Sequence, residues 1–280
     1  MTTLKSDFYR VLAVIIMCIV ALAGTRIAFA DEAYLSLTFG DRTERLSRTE
    51  LLSSPDLRVI DVPAHAGNQK PMSYQAIPLA DLISKPTSES VQFTSTDGFV
   101  ANIPSVLLYG PSQPWLAIES PQAPWPPLDR DGLSAGPFYL VWLMPEKAGI
   151  SQEQWPYRIT GISEVIALEK RFPALLPKTS ANSPEQRGLR VFVNNCSTCH
   201  KLNGAGDASV GPDLNAPYNP TEYFQEPFLR KLIRDPASVR NWGQRIMQGF
   251  PPSVLTDSQL DDLLAYLRQM ARQRLEVNGV

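Results

Sequence analysis

Cysteine and histidine are scarce in this chain, at three and two of 280 residues. So few cysteines exclude a disulfide-stapled scaffold. So few histidines leave little material for a metal cage built from side chains. Charge of one sign is also lacking: 26 basic against 28 acidic residues give a net charge of −2, with no electrostatic footprint for nucleic acid. No apolar run reaches the ~20 residues that span a bilayer. Internal repeats and low-complexity tracts are absent. What remains, 44% hydrophobic and 19% charged, is globular composition and excludes a disordered, collagenous or polytopic membrane protein. Proline is plentiful at 25, so irregular loops are expected.

The N-terminus has the order of a secretory signal. Lys5 and Arg10 precede the apolar run Val11 to Ala23, and Ala28-Phe29-Ala30 offers a small-x-small cleavage site before Asp31. Arg26 breaks the continuation of the run, and Cys18 within it lacks a lipoprotein-like context. Residues 1–30 are therefore expected to direct export to the periplasm and be removed, with membrane attachment only if the leader is retained. Loss of Lys5, Arg10, Arg26 and Asp7 leaves 23 basic against 27 acidic residues, net −4, and two cysteines, Cys196 and Cys199.

The mature chain divides into three stretches. Residues 31–172 read as β-rich. Leu35, Leu37 and Phe39 alternate with polar residues, and so do Val91 and Phe93 before, and Phe99, Ala101 and Ile103 after, the turn Thr96-Asp97-Gly98. Ile77 to Ile83 suggests one or two helical turns. Residues 111–127, with six prolines, suggest an irregular loop. Phe138 to Leu143 reads as a buried strand, and Tyr157 to Gly161 and Val165 to Leu168 as two more. Residues 173–184 are polar and proline-bearing, and read as a linker. Residues 185–275 read as helical, within a last domain of 185–280. Ser183-Pro184-Glu185-Gln186 and Thr256-Asp257-Ser258-Gln259 are helix starts, Pro227 to Arg234 suggests a short helix, and Leu260, Leu263, Leu264, Leu267 and Met270 recur at helical spacing.

The chemistry concentrates in Cys196-Ser197-Thr198-Cys199-His200. Cys-x-x-Cys-His is the attachment pattern of c-type haem. Two thiols one turn apart can add to the two vinyl groups on one haem edge, and the adjoining imidazole then meets the iron. A thioredoxin-like redox pair and half a zinc site are the alternatives. A redox pair opens a helix, whereas this one ends one, and a zinc site needs two further ligands where the mature chain has one other histidine, His65.

Residues 185–275 resemble the class I cytochrome c family, through the motif, Gly188 and Phe192 before it, Gly211-Pro212-Asp213-Leu214 after it, and Tyr266 in the last helix. The resemblance implies one covalent haem c on Cys196 and Cys199, with His200 as iron ligand. Gly188, Phe192 and Tyr266 would pack the first and last helices across each other, and the Pro212 carbonyl would accept from His200 Nδ1. Met247, in Ile246-Met247-Gln248-Gly249-Phe250-Pro251-Pro252, would be the sixth ligand, and His/Met ligation raises the reduction potential. Met270 falls on the apolar stripe and reads as core. Trp242 and Arg245 could bond the haem propionates.

The β-rich stretch resembles sulfite-oxidase-type molybdopterin domains over residues 55–168. The likeness rests on Tyr74 to Ile83, Asp97-Gly98-Phe99, Gly136-Pro137 before an apolar strand, and Trp155 to Ile162. The implied fold is mixed α+β. The family's molybdenum ligand is a cysteine, and residues 31–195 contain none, so molybdopterin is not expected and a docking role would follow. His65 and Met72 make a weak copper candidate, and a surface-loop histidine is the simpler reading. The expected fold is thus a two-domain chain, α+β then all-α. The expected function is single-electron transfer between periplasmic redox proteins. The alternative is a haem-bearing enzyme, or obligate enzyme subunit, whose first domain binds a substrate or second metal. A haem-based sensor would require Met247 to be displaced by a ligand.

Overall fold

The first strand, β1 (Tyr34–Phe39), alternates as its sequence predicts, with Leu35 and Leu37 buried. It turns at Gly40 into β2 (Arg42–Ser47), whose Arg42, Glu44 and Arg45 are exposed. A charged strand suits a sheet edge, where it discourages pairing with other chains. Ser47 caps α1 (Arg48–Leu52) in a reciprocal capping box with Glu50. Then come β3 (Arg58–Val62), β4 (Met72–Pro78), α2 (Leu79–Leu82), β5 (Ser90–Ser95), β6 (Val100–Pro104), α3 (Ser105–Leu108), β7 (Pro114–Ile118), β8 (Phe138–Trp142) and β9 (Ile159–Val165). This computed structural model describes residues 32–64, 70–128, 132–240 and 247–274. The leader 1–30 with Cys18, His65, Trp242 and Arg245 lie outside the described residues.

Two sheets form. One has the order β2-β1-β9-β5-β6 and the other β3-β4-β7-β8. The β5–β6 hairpin closes at Asp97-Gly98 as expected, with Val91 opposite Ile103 and Phe93 opposite Ala101. β9 arrives last and inserts between β1, which it pairs in parallel, and β5, which it pairs antiparallel. One hydrophobic core joins the strands of both sheets, and it includes Phe93, Ile103, Leu116, Phe138, Tyr139 and Trp142.

Three local expectations are corrected. The proline-rich 111–127 stretch is not wholly irregular: it contains β7, hydrogen-bonded between β4 and β8. Pro114 is tolerated because it is the strand's first residue. Ile77 and Pro78 finish β4, so the helix begins only at Leu79. Val165 to Leu168 is not a second strand, because β9 ends at Val165 and α4 (Leu168–Arg171) follows.

The helical region comprises α5 (Pro184–Asn195), α6 (Pro220–Tyr223), α7 (Glu226–Arg234), α8 (Pro236–Val239) and α9 (Asp257–Arg272). Both long helices start at the caps expected, Ser183 and Thr256. Ser183 accepts the Gln186 N–H, and Thr256 forms a capping box with Gln259. Gln186 does not reach back to its cap; its side chain donates to the Pro177 carbonyl, 3.2 Å away. The α9 stripe of Leu260, Leu263, Leu264, Leu267 and Met270 is buried, with Met270 fully so. A second core gathers around it, and it includes Leu168 and Leu175 from before α5. The segment 173–184 thus carries a fully buried leucine, and its Leu175 carbonyl accepts the Tyr266 hydroxyl at 2.9 Å. The described residues from Ala33 onward form one compact unit. No helix among the described residues is long and apolar enough to cross a membrane.

Candidate functional site

The Cys-x-x-Cys-His motif begins where α5 stops. The Cys196 N–H still bonds to the Phe192 carbonyl, at 2.8 Å, in the helical pattern. The next turn is tight: the Cys199 and His200 N–H groups both return to the Cys196 carbonyl, at 3.1 and 2.9 Å. This turn sorts its side chains. The spacers Ser197 and Thr198 are buried, and Cys196, Cys199 and His200 are half-buried with part of each surface open. Ser197 is tied inward by its hydroxyl, which donates to the Val193 carbonyl at 2.8 Å. Neither Cys196 nor Cys199 is in a disulfide. Burial, with the charges of Glu153 and Cys199 adding, pushes the Cys196 thiol up to about 12, so it stays protonated at neutral pH.

The crossing of α5 and α9 supports this turn. A Cβ at Gly188 would lie 2.0 Å from the Asp262 carbonyl oxygen and 2.6 Å from Tyr266 Cβ, so glycine sets how closely the helices approach. Phe192 and Tyr266 pack ring to ring, with centroids 5.6 Å apart. Arg187 grips Asp262 with two bonds of 2.8 and 2.7 Å. Burial raises the Tyr266 phenol far above its ordinary value and keeps it a hydrogen-bond donor.

His200 is oriented by the chain that follows it. Its Nδ1 lies 2.8 Å from the Pro212 carbonyl oxygen. A carbonyl can only accept, so Nδ1 carries the proton and the neutral ring keeps its lone pair on Nε2. The Gly211 N–H bonds to the Cys199 carbonyl and the Leu214 N–H to the Lys201 carbonyl, each at 2.8 Å, which places Pro212 beside the ring. A Cβ at Gly211 would come 2.4 Å from His200 Cε1, so a side chain there would displace the imidazole. Burial lowers the imidazole pKa, against the opposing effects of the Pro212 bond and the Asp213 charge, and so favours the neutral form.

Met247 is half-buried and packs at the edge of the helical core, as Cys196 does. Met72 is half-buried in β4, where its sulfur accepts from the Tyr74 hydroxyl at 3.6 Å. Among the described residues no group of three or more His, Cys, Asp or Glu side chains could hold a metal ion.

Asp213 belongs to the Gly211-Pro212-Asp213-Leu214 run, but its role and that of three asparagines had no sequence signal. Asp213 accepts from the Asn203, Gly204 and Asn215 N–H groups at 3.1, 2.5 and 2.7 Å, and so closes the loop after the motif. Asn215 donates to the Met270 carbonyl at 2.8 Å, and Asn219 to the Leu267 carbonyl at 3.1 Å, which ties that loop to α9. Asparagine reads as a turn former, and its burial here depends on a helix some fifty residues away.

The cytochrome c family model matches residues 185–271. This stretch is a cytochrome c domain. The match stops short of the β-rich region, and no curated protein matches the chain. The cytochrome c domain implies haem c, and its residues suit that group: two cysteines one turn apart that form no disulfide, an imidazole with Nε2 unprotonated, and a glycine where any side chain would move the ring. It also supports electron transfer as its role.

Proposed function

We propose that the chain is an exported single-electron carrier of the periplasm, bearing one haem c in residues 185–280. The observation that carries this reading is the His200 Nδ1 contact with the Pro212 carbonyl at 2.8 Å, beside a turn whose two cysteines form no disulfide. Cys196 and Cys199 would hold the group by thioether bonds, His200 would ligate it on one side and Met247 on the other, and Trp242 and Arg245 would meet its propionates. When bound, haem c supplies an iron that takes up and releases one electron at a time. The protein's part is electrostatic and geometric. The Pro212 carbonyl holds the His200 proton on Nδ1 and raises the basicity of Nε2. Met247 would contribute a thioether, which favours the ferrous state, and with His200 it would leave the group no position for a substrate.

The β-rich region, in this reading, is a sulfite-oxidase-like relative without molybdopterin that presents the carrier to its redox partners. The missing cysteine in residues 31–195 supports the first half. The acidic balance of the mature chain supports partners with basic docking patches. Elemental analysis of the mature protein, made with a c-type maturation system, tests the whole. One covalent haem iron per chain with no molybdenum or copper is the expected result. A second stoichiometric metal would overturn the carrier reading and make the β-rich region part of an enzyme. Met247→Ala tests the closed iron: the variant is expected to bind carbon monoxide when reduced, and the parent is not.

A further inference from the structure

Midway along the segment that joins His200 to Pro212 lies Asp207, and its partners come from the β-rich region. Arg171, the last residue of α4, grips it with a fork, Nη1 to Oδ1 and Nη2 to Oδ2, both at 2.8 Å. Gln92 of β5 adds a bond to Oδ2 at 2.9 Å. Arg171 and Gln92 also both donate to Asn102 Oδ1 on β6, at 2.9 and 3.2 Å. Two backbone bonds flank this network. The Val100 N–H reaches the Thr198 carbonyl at 3.1 Å, and the Ser209 N–H reaches the Gly98 carbonyl at 3.2 Å. The sheet's edge strand and its turn are thus fastened to the chain on both sides of His200. The Arg171 and Asp207 side chains are only 20% and 22% exposed, so salt screens them weakly.

We propose that Arg171, Gln92 and Asp207 are positioning residues for His200, through which the β-rich region holds the Pro212 carbonyl on the imidazole. This inference rests on the haem reading of the site. Pro212 has no N–H of its own, so its carbonyl is aimed by the backbone on either side. Asp213 secures the segment from within, and Asp207 secures it from the sheet. The two-bond fork resists both sliding and rotation, which a point charge does not. When the fork is lost, residues 205–210 are released and the Gly211 N–H bond to Cys199 weakens. The Pro212 carbonyl then pulls less on the Nδ1 proton. A less basic imidazole favours ferrous iron, so the midpoint potential rises.

Two variants of the full-length holoprotein test this. Arg171→Lys keeps the charge and loses the fork. The double variant Arg171→Gln with Asp207→Asn removes the pair and leaves the net charge unchanged. Both are expected to raise the midpoint potential. Both are also expected to speed amide hydrogen exchange at Gly211 and Leu214 by about tenfold, with α5 and α9 unchanged. Uniform acceleration across all helices with an unmoved potential would overturn the proposal and leave Arg171 a general stabiliser, and so would no change in either. If the double variant fails to fold, Arg171→Lys decides alone. A full-length chain that matures without covalent haem sinks the haem reading, and local exchange at Gly211 and Leu214 in that chain still decides whether the fork holds the loop.

Discussion

In the β-rich region, β8 buries five consecutive side chains, Phe138 to Trp142, between strands and sheets that supply apolar surface on both faces. In the cytochrome c domain, the stretch from His200 to α6 buries Leu202, Ala205 and Ala208 and is also tied by polar side chains. Asn203, Asn215 and Asn219 are buried there, with Asp213 bonded to backbone N–H groups. The first region is stabilised chiefly by burial of apolar area, which tolerates imprecise geometry. The second depends on directed bonds, each costly when one partner is lost. A loop that must present an imaged edge of fixed atoms, such as the Pro212 carbonyl, needs directed bonds; a supporting sheet does not.

This contrast can be broken most severely at the motif. Cys196→Ala with Cys199→Ala is expected to abolish covalent haem completely, as read by haem staining of the denatured protein, while exchange protection in β5 and β8 persists. The reverse experiment strikes the apolar core. Trp142 is fully buried and its indole N–H donates to the Gln154 carbonyl at 2.7 Å. Trp142→Ala is expected to cost about 4 kcal/mol in denaturant unfolding. Haem staining of the folded fraction should be unchanged.

Smaller effects sharpen the comparison. Gly188→Ala forces a methyl group against the Asp262 backbone and is expected to cost about 3 kcal/mol, by pushing α5 from α9. Asn215→Leu removes donors from Asn203 and Met270 and should cost about 2 kcal/mol, seen as a lowered denaturation midpoint. The smallest effect is a pH effect in the β-rich region. The Glu164 carboxylate accepts from the Thr87 hydroxyl at 2.7 Å and from the Thr87 and Ser88 N–H groups, which holds it below the usual carboxylate range. The folded state therefore binds its proton less readily than the unfolded chain. Its stabilising contribution is present above about pH 4.5 and is lost as pH falls through the folded value. Glu164→Gln should flatten that part of the acid unfolding curve, and an unchanged curve would remove Glu164 as its source.

The local chemistry of the chain was legible before any fold was known. Capping at Ser183 and Thr256 depends on residues within one turn, so both helix starts could be read directly. The Asp97-Gly98 hairpin and the α9 stripe follow from periods of two and 3.6 residues, and both formed. Sequence pattern misleads where pairing comes from far along the chain. β7 reads as a loop because its prolines outweigh a short apolar run, and β4 and β8 make it a strand. Val165 to Leu168 reads as extended because it is apolar, and Leu168 instead enters the helical core.

By itself the sequence determined which atoms can do chemistry: two thiols and an imidazole whose spacing is covalent and local. It also determined where the helices that carry them begin, because capping acts within four residues. Only the tertiary structure decided that β9 would enter the sheet between β1 and β5, and that Arg171 would meet Asp207 across the two regions. Those contacts are chosen by burial and charge pairing between segments distant in the chain. No local pattern encodes them, because their free energy exists only once the intervening chain has folded.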